Sequence, residues 1–487
     1  MQQVEARGRA LNEGNPWTPP PGTVPDRRDR LRARLGFWKA IGTDSFTLSW
    51  IAYGKALSFA QLPDHLIFPN HPSARQAADF VAETTRAGLT DGSFVRVHPS
   101  FAKVVNPVMV EWNGKKPRLC HDIRFPNSWT ATVPFRLATL ARDLHTILRP
   151  GDLMMVADLE KAYYSVPMHE DSWPYLCFDG PEGLSCGTCL LFGDAQAPFT
   201  FHKITRHIVA FSGICRVRVL SYLDDFLWMA QPGQSHSTSA FAQWILPLLG
   251  WTLNNKCDWT PSTFKKFLGL FIDSAQRRLK APFRKVRSIC ESMEQALKSN
   301  ALQFDALTSL PGRIIALKLA IPGTRAWTRA LYRCEAQARA EGAADEQLIP
   351  LTEEVREEFR FLLSHLPTWA SIGMPLPPDT TDISICTDAG DFGYGGHSVN
   401  LTPRLEHAGA LPPELVGRSS TCREFYALLR TAGSFRGSLK GKKVLFAMDS
   451  QPLVHCLYNE GGKVPELIEL FKQWRSFLPQ DYRRRPA

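Results

Sequence analysis

The sequence has no apolar run long enough to cross a membrane. Its opening residues, "MQQVEARGRALNEGNPWTPP", also lack the apolar core that a signal peptide requires. We therefore expect a protein of the cytoplasm or nucleus that is not secreted and has no membrane partner. Neither absence bears on the oligomeric state, which the sequence leaves unknown.

Paired metal-binding cysteines are scarce as well. The chain has 11 cysteines, and Cys186 and Cys189 alone have CxxC spacing. A structural zinc site needs a second pair of ligands, so this spacing does not predict one. In a reducing compartment, the cysteines are expected to be reduced thiols that are mostly buried.

The composition is that of a globular protein with several domains. Hydrophobic residues make up 44% and charged residues 21% of the 487 residues. The formal net charge is +10 and the pI is about 9.1. A polyanion or an acidic membrane surface would suit this charge as a partner, although the charge alone identifies neither.

Apolar spacing and turn-forming residues predict an order of segments. Residues 1–30 are expected to be loose, and the basic stretch "RRDRLRARLG" at 27–36 is expected to be a solvated helix face. The predicted segments are an N-terminal arm with leader helices (1–74), a region of alternating helices and strands (75–279), a helical region (280–365), a Pro-rich linker (366–382) and a second α/β domain (383–487).

Two adjacent aspartates interrupt an apolar run at 221–230, which reads "SYLDDFLWMA". Such a run predicts a buried strand, so Asp224 and Asp225 need an explanation. One alternative is a tight turn between two strands, where Asp is common. The other is a metal site, because Mg²⁺ prefers carboxylate oxygens and phosphate substrates supply its remaining ligands. These ten residues leave both alternatives open.

A second apolar run, "LMMVADLEKAYYSVPM" at 153–168, contains an acid at the end of its strand pattern, Asp158. It predicts a buried strand that delivers one carboxylate to its C-terminal end. Two metal ions about 4 Å apart can clamp the attacking and leaving oxygens of a phosphoryl transfer, and several carboxylates must hold them. Neighbouring strands could bring Asp158 to the Asp224–Asp225 pair.

The segment "VVNPVMVEWNGKKPRLCHDIRFPN" at 104–127 predicts a β-hairpin, because Asn113-Gly114 is flanked by extended patterns. Lys115, Lys116 and Arg118 follow on the returning strand, where the last two share a face. A basic hairpin over an acidic metal site suits a nucleoside triphosphate. The alternative is an exposed hairpin with ordinary surface Lys and Arg.

Six blocks in one order over residues 104–273 resemble the polymerase domain of reverse transcriptases. The resemblance is to the reverse transcriptase and ribonuclease H region of a retroelement polyprotein, of the long-terminal-repeat or DIRS-like (tyrosine-recombinase) type. Hepadnaviral polymerases share the Tyr-x-Asp-Asp box. The blocks are the hairpin ending "RLCHDIRFPN", then "DLEKAYYSVP", "LLFGDAQAPFTFHKI", "YLDD", "LGWTLNNKC" and "KKFLGLFID".

The resemblance implies roles for residues of this domain. Asp158 and Asp224 would hold two Mg²⁺ ions, with Mn²⁺ as an alternative and with Asp225 beside them. Lys256 would protonate the leaving pyrophosphate. Tyr163 would be the gate that excludes a ribose 2′-hydroxyl and favours dNTPs, while its alternative is a core tyrosine paired with Tyr164. Arg118 with Lys115 or Lys116 would contact the triphosphate, Phe192 and Gly193 would line the template–nucleotide pair, and residues 267–270 would grip the primer.

Two stretches depart from the family pattern. Relatives usually carry small or hydroxyl residues at positions 194–196, where this chain has "DAQ". We expect Asp194 either to weaken template binding by its charge or to be solvated. Glu111 and Trp112 precede the hairpin turn where basic residues are common, so the choice between Lys115 and Lys116 stays open.

The second domain carries three acids at the ends of predicted elements. Asp388 ends a strand in "ICTDAG", Glu424 begins a helix in "STCREFYALL", and Asp449 ends a strand in "VLFAMD". Singly, Asp388 could be a turn residue and Glu424 a helix N-terminal acid favoured by the dipole. After a polymerase block, the set resembles the two-metal site of ribonuclease H, which activates water to cut the RNA strand of a hybrid. The family's late fourth acid is not found, so a truncated domain is expected.

The sequence therefore predicts an α+β protein with a right-hand polymerase (fingers, palm and thumb) followed by an α/β ribonuclease H-like domain. Its expected activity is RNA-directed DNA polymerisation by attack of a primer 3′-hydroxyl on a dNTP, with an RNA or DNA template and primer as partners. Weak cleavage of RNA–DNA hybrids is expected beside it. The rival interpretations are a polymerase of this fold with a host role, and a degenerate fragment that binds nucleic acid without catalysis.

Overall fold

The computed structural model describes residues 1–114, 116–131, 133–377, 380–461 and 464–477. The chain forms two compact units, Met1–Thr139 with Asp152–Ser262, and Leu140–Gly151 with Thr263–Ala487. Lys115, a predicted triphosphate contact, lies outside the described residues. No helix within the described ranges has both the length and the apolar character that a membrane span requires.

The helices follow apolar spacings of three and four residues, as in α10, where Val286, Ile289, Met293 and Ala296 form one buried stripe. Their bounds are α1 (Gln2–Asn12), α2 (Leu35–Ala40), α3 (Ser45–Tyr53), α4 (Pro72–Gln76), α5 (Ala78–Asp91), α6 (Arg124–Ser128), α7 (Leu144–Ile147), α8 (Ala197–Ile214), α9 (Ser235–Leu248), α10 (Phe283–Ser299), α11 (Phe304–Ile315), α12 (Arg329–Ala340), α13 (Glu353–Ile372), α14 (Ser420–Ser434), α15 (Arg436–Leu439), α16 (Gln451–Tyr458) and α17 (Pro465–Phe477).

The strands are short and form several separate sheets. Their bounds are β1 (Leu66–Ile67), β2 (Phe94–Arg96), β3 (Val104–Asn106), β4 (Val108–Asn113), β5 (Lys116–His121), β6 (Leu153–Asp158), β7 (Cys177–Phe178), β8 (Ser185–Gly187), β9 (Arg218–Tyr222), β10 (Asp225–Ala230), β11 (Asp258–Ser262), β12 (Phe264–Phe267), β13 (Leu270–Asp273), β14 (Arg278–Lys280), β15 (Ala301–Gln303), β16 (Leu348–Pro350), β17 (Met374–Pro375), β18 (Ile383–Ala389), β19 (Gly393–Ser398), β20 (Glu406–Ala410) and β21 (Val444–Ala447).

The central sheet of the first unit has the strand order β11-β6-β10-β9, and all its pairings are antiparallel. Helix α8 packs against β9, and α9 packs against β6 and β10. Met155, Ala157, Phe226 and Trp228 are fully buried in the core of this unit. Burial on both faces explains why these strands appear as unbroken apolar runs in the sequence.

The N-terminal residues differ from the expected loose arm. Helix α1 packs against α2, and a Cβ atom on Gly8 would lie 2.3 Å from the Phe37 ring. The indole nitrogen of Trp244 donates to the Glu5 carboxylate at 2.6 Å. Polar composition suggested disorder, but glycine at the helix crossing permits close packing that composition does not reveal. The basic stretch at 27–36 is likewise not a solvated face, because Arg27 is only 6% exposed.

The predicted linker at 366–382 also differs in the structure. Helix α13 continues to Ile372, and β17 then pairs with β14 at the edge of the sheet β12-β13-β14-β17. The predicted primer-contacting stretch 267–270 forms the turn between β12 and β13, with positive φ at Leu268 and Gly269. These elements belong to the second unit. The boundary between the two units therefore lies at Ser262–Thr263, before the linker at 366–382 where the apolar pattern predicts it.

The C-terminal part of the second unit contains a sheet of order β20-β19-β18-β21. β18 pairs antiparallel with β19 and parallel with β21. Helix α14 packs on β18 and β19, and a Cβ atom on Gly396 would lie 2.4 Å from the Thr431 side chain of this helix. The α/β pattern predicted after residue 383 is therefore present, and α14 lies close to the strand that carries Asp388.

Candidate active sites

Asp158 and Asp225 lie directly opposite each other on neighbouring strands. Asp158 is the last residue of β6 and Asp225 is the first of β10, and the antiparallel register pairs their Cα positions. Asp224 lies in the two-residue turn between β9 and β10, where Leu223 has a φ of 53°. The turn that the sequence offered as one alternative is therefore present, and the metal site stays a prediction.

The three carboxyl groups repel one another in a half-buried setting. Burial, followed by the charges of Asp224 and Asp158, raises the pKa of Asp225 to about 6, against the opposing effect of Lys256. Burial also raises the pKa of Asp224. A cation placed among these groups would relieve the repulsion and hold the acids in their charged form.

Hydrogen bonds attach the segment that carries Lys256 to the strand that carries Asp158. The main-chain nitrogen of Asn254 donates to the Asp158 carbonyl oxygen at 2.8 Å. The main-chain nitrogen of Lys256 donates to the Asn254 side-chain oxygen at 3.1 Å. The exposed Lys256 ammonium opposes the rise in the pKa of both Asp224 and Asp225. Lys256 therefore lies near the acids, and its role as a proton donor stays a prediction.

Tyr163 packs among aromatic rings beside the acidic cluster. Its ring centroid lies 5.1 Å from that of Phe192 and 5.3 Å from that of Phe201. Burial, followed by the charge of Asp224, raises the pKa of Tyr163 to about 12, so its hydroxyl stays protonated. Phe192 is 49% exposed, which leaves one of its surfaces available to a bound molecule.

Gly193 occupies a position that no other residue can take without a shift in the backbone. Its φ is 112°, and a Cβ atom there would lie 2.3 Å from the main-chain oxygen of His121. The side-chain nitrogen of Asn127 donates to the Gly193 carbonyl at 2.8 Å, and its side-chain oxygen accepts from Ala195 N at 3.1 Å. Asn127, which the sequence analysis did not single out, therefore fixes the loop that carries Phe192 and Gly193.

A buried polar network beneath this loop was also missed. Asp194 and Lys55 are only 5% and 4% exposed. The Lys55 ammonium donates to the Gln196 side-chain oxygen at 2.9 Å, while the main-chain nitrogen of Gln196 donates to the Asp194 carboxylate at 2.8 Å. The expectation that Asp194 is solvated is wrong, because Lys55 supplies a buried positive charge in its vicinity.

The basic hairpin is formed by β4 and β5, whose register pairs Asn113 with Lys116. Lys116 and Arg118 are both exposed, as alternation along a strand requires. Arg118 is the cross-strand partner of Glu111. In the described part of the chain, no hydrogen bond or ion pair connects Lys116 or Arg118 to the three acids, so their role rests on the sequence resemblance.

A second acidic cluster lies in the C-terminal part of the chain. The parallel register of β18 and β21 pairs Cys386 with Ala447, so Asp388 and Asp449 follow at the same end of the sheet. Glu424 approaches from α14, and it is 8% exposed. Burial, followed by the charges of Asp449 and Asp388, raises the pKa of Glu424 to about 7.

The surroundings of this second cluster are polar. One carboxylate oxygen of Glu424 is buried and has no hydrogen-bond partner among the residues that the structure describes. Arg423, which the sequence analysis did not single out, pairs with the Asp391 carboxylate and donates to the Gly390 carbonyl at 3.0 Å. A cavity of about 690 Å³ lies beside Asp388, and its other lining residues include His397 and Arg404.

The residues present supply part of a Mg²⁺ ligand set, and a phosphate substrate would supply the rest. Within the described ranges, no group of three or more His, Cys, Asp or Glu side chains is arranged to hold a metal ion by itself. Mg²⁺ typically binds one or two carboxylates and completes its octahedron with waters and substrate phosphates. The carboxylates of Asp225 and Glu424 are hard, anionic ligands. A bound cation would offset the charge repulsion at Asp225 and would give the buried Glu424 oxygen a partner.

Comparison with known proteins identifies a fold. No family profile matches the chain, and no curated protein matches it. A foamy viral protease-reverse transcriptase in complex with RNA/DNA hybrid aligns with 97% of this chain and 61% of its own, at 12% identity and a TM-score of 0.55. A foamy viral protease-reverse transcriptase in complex with dsDNA aligns over 99% of this chain and 96% of its own, at 13% identity and a TM-score of 0.51.

The chain therefore has a mixed α+β fold that matches reverse transcriptase structures over nearly its whole length. This confirms the fold class predicted from the sequence blocks. The chain spans 61% of the length of the hybrid-bound viral protein. At this level of identity the similarity concerns the fold alone.

Proposed function

We propose that this chain is an RNA-directed DNA polymerase that adds dNTPs to a primer 3′-hydroxyl with the help of Mg²⁺ or Mn²⁺. The direct opposition of Asp158 and Asp225, with Asp224 in the adjoining turn, is the observation that carries the proposal. A half-buried cluster of like charges has a structural cost, and metal-assisted phosphoryl transfer is the chemistry that uses it. The sequence blocks support an origin in a retroelement.

The reaction joins the primer to the α-phosphate of the dNTP. The 3′-hydroxyl oxygen forms a bond to the α-phosphorus, its proton passes to water, and the bond to the pyrophosphate breaks. Asp158 and Asp224 would hold the metal ions, with Asp225 beside them. Bound Mg²⁺ would supply charge that stabilises the attacking and leaving oxygens. The Lys256 ammonium, beside the acids, would donate a proton to the leaving pyrophosphate.

The surrounding side chains would select and orient the substrates. Tyr163 packs on Phe192 close to Asp224, where its ring would exclude a ribose 2′-hydroxyl. Phe192 and the bare backbone of Gly193 would line the template–nucleotide pair. Lys116 or Lys115, together with Arg118, would contact the triphosphate. The partners are thus an RNA or DNA template with its primer and dNTPs.

We propose in addition that Asp388, Glu424 and Asp449 form a ribonuclease H-like metal site for RNA–DNA hybrids. The convergence of the two strand ends with Glu424, together with the raised pKa of that residue, supports this site. The hybrid is present in one of the similar viral structures. The two activities would reside in different units of the chain.

Primer extension on matched RNA and DNA templates tests the polymerase proposal. The full chain with Mg²⁺ should extend the primer, and Asp224→Asn should abolish extension because it removes a charged ligand with little change in size. Primer–template binding by Asp224→Asn should stay within about twofold of wild type. The matched control is Asp79→Asn on α5, which is exposed and outside both clusters, and it should extend normally.

Extension by Asp224→Asn at the wild-type rate would contradict the assigned chemistry. A wild-type chain that binds primer–template but adds no nucleotide with either Mg²⁺ or Mn²⁺ would instead favour the degenerate fragment. Extension on DNA templates alone would favour a polymerase of this fold with another role.

A further inference from the structure

Arg27 connects the N-terminal residues to the chain segment between the proposed metal ligand and the proposed sugar gate. Its side chain is almost fully buried. The guanidinium Nε donates to the Asp91 carboxylate at 3.1 Å, and Nη2 donates to the Glu160 carboxylate at 3.4 Å. A third contact of 3.5 Å joins Nη1 to the Glu160 carbonyl. One arginine therefore binds both the side chain and the main chain two residues after Asp158.

The segment that Arg27 binds contains an unfavourable backbone conformation. Lys161 has a φ of 45°, in the left-handed region that L-residues other than glycine rarely adopt. Such a conformation is unfavourable and persists only where neighbouring groups determine it. The Lys161 ammonium pairs with Asp91 at 3.3 Å, so the carboxylate bound by Arg27 also restrains Lys161.

A second arginine of the same stretch restrains the other segment beside the acids. Arg30 donates to the Thr252 hydroxyl, and the main-chain nitrogen of Glu160 donates to the Thr252 carbonyl at 2.8 Å. A Cβ atom on Gly250 would lie 2.3 Å from the Arg30 carbonyl oxygen. Arg27 and Arg30, from the N-terminal part of the chain, thus bind the two neighbouring segments that begin at Asp158 and at Thr252.

We propose that Arg27 is a positioning residue that sets the sugar selectivity of nucleotide addition by fixing the segment between Asp158 and Tyr163. The inference rests on the proposed polymerase function. Arg27 is buried and binds Asp91 and Glu160, which are not among the proposed substrate contacts, and it holds the backbone that leads to Tyr163. A planar fork that binds two carboxylates and a carbonyl can fix this backbone, and a single ammonium cannot do so as well.

Single-nucleotide addition of dTTP and UTP by the full chain tests the proposal through three variants. Arg27→Met should lower kcat for dTTP about tenfold and lower the ratio of dTTP to UTP incorporation by a similar factor, since misplacement by about 1 Å can cost up to a hundredfold. Arg27→Lys should fall between Arg27→Met and wild type. Arg28→Met is the matched control, because Arg28 pairs with Asp26 and Asp29 and, among the residues that the structure describes, forms no ion pair with Asp91 or Glu160. This variant should keep the wild-type ratio.

Two further measurements keep the proposal testable if Arg27→Met folds poorly or wild type adds no nucleotide. Glu160→Gln should also lower the ratio of dTTP to UTP incorporation. Because the Glu160 side chain is 43% exposed, we expect this variant to stay folded. Hydrogen exchange of the free protein needs no activity, and the amides of 159–163 should exchange at least about fivefold faster in Arg27→Met than in Arg28→Met if local opening is eased.

The outcomes separate the two proposals. A wild-type chain without polymerase activity contradicts the proposed function, while the hydrogen exchange still decides whether Arg27 positions the segment. Unchanged exchange at 159–163 in Arg27→Met, or equal losses for dTTP and UTP in Arg27→Met and Glu160→Gln, would overturn the positioning role and leave Arg27 with a purely structural one.

Discussion

The main-chain oxygen of His121 lies 2.3 Å from the position that a Cβ atom on Gly193 would occupy. The contact joins the basic hairpin to the loop that carries Phe192, because His121 is the last residue of β5. Gly193 therefore serves two local needs, a φ of 112° and a close backbone approach. Glycine is required here because strand β5 of the hairpin packs against the loop that contains Gly193.

Gly193→Ala should lose nucleotide addition and stability together. The added methyl meets backbone, which cannot yield as a flexible side chain can, and the strained φ adds about 1–3 kcal/mol. Thermal unfolding and primer extension would measure both effects. Gly213→Ala in α8 is the control, because no atom of the described residues lies within 4 Å of its Cβ position, and we expect it to stabilise by about 0.5–1 kcal/mol. Equal behaviour of the two variants would contradict the steric account.

Acid should destabilise the protein through His121. Burial lowers the pKa of this histidine from 6.5 to about 4, and within the described ranges neither ring nitrogen has a hydrogen-bond partner. The unfolded chain therefore binds a proton between these pH values while the folded chain does not, so the stabilisation is complete above pH 6.5 and is lost as the pH falls towards 4. The full loss is about 3 kcal/mol.

His121→Phe should remove that part of the acid sensitivity, because the new ring fits among Phe94 and Phe178. Urea unfolding between pH 7 and pH 4.5 would compare the slopes of stability against pH. The exposed His65→Phe is the control and should keep the wild-type slope. A His121→Phe slope equal to wild type would show that other groups cause the acid effect.

Tyr163→Ala should relax sugar discrimination, because it removes the ring between Phe192 and Phe201 near Asp224. We expect incorporation of UTP relative to dTTP to rise by at least about tenfold, the equivalent of roughly 1.4 kcal/mol. Tyr163→Phe keeps the ring and should keep the ratio. If both variants leave the ratio unchanged, Tyr163 is a packing residue only.

Asp388→Asn should abolish any cleavage of a labelled RNA–DNA hybrid in Mg²⁺ or Mn²⁺ while primer extension persists, because the two acidic clusters lie in different units. The exposed Asp345→Asn is the control for both assays. Cleavage that survives Asp388→Asn would indicate a contaminating nuclease or a different site. Loss of primer extension in the same variant would contradict the independence of the two clusters.

Local patterns in the sequence were sufficient for the elements that carry the first cluster. The apolar runs around Asp158 and Asp224 predicted the two buried strands, and Asn113-Gly114 predicted the hairpin. These signals work because strand burial, turn geometry and residue order are properties of neighbouring residues. The roles of Lys116 and Arg118 stay predictions, since they depend on a bound triphosphate.

The sequence by itself determined the strand ends and the helix start on which the acids lie, the order of the surrounding strands and helices, and the fold class. Only the tertiary structure decided which distant groups support the sites: Lys55 beneath the Asp194 loop, Asn127 across it, and Arg27 on the segment after Asp158. From the sequence alone, a charged residue in a polar stretch is expected to be exposed to solvent. Its burial depends on a partner carboxylate far along the chain, and the gain from that pairing appears only when the folded backbone brings the two charges together.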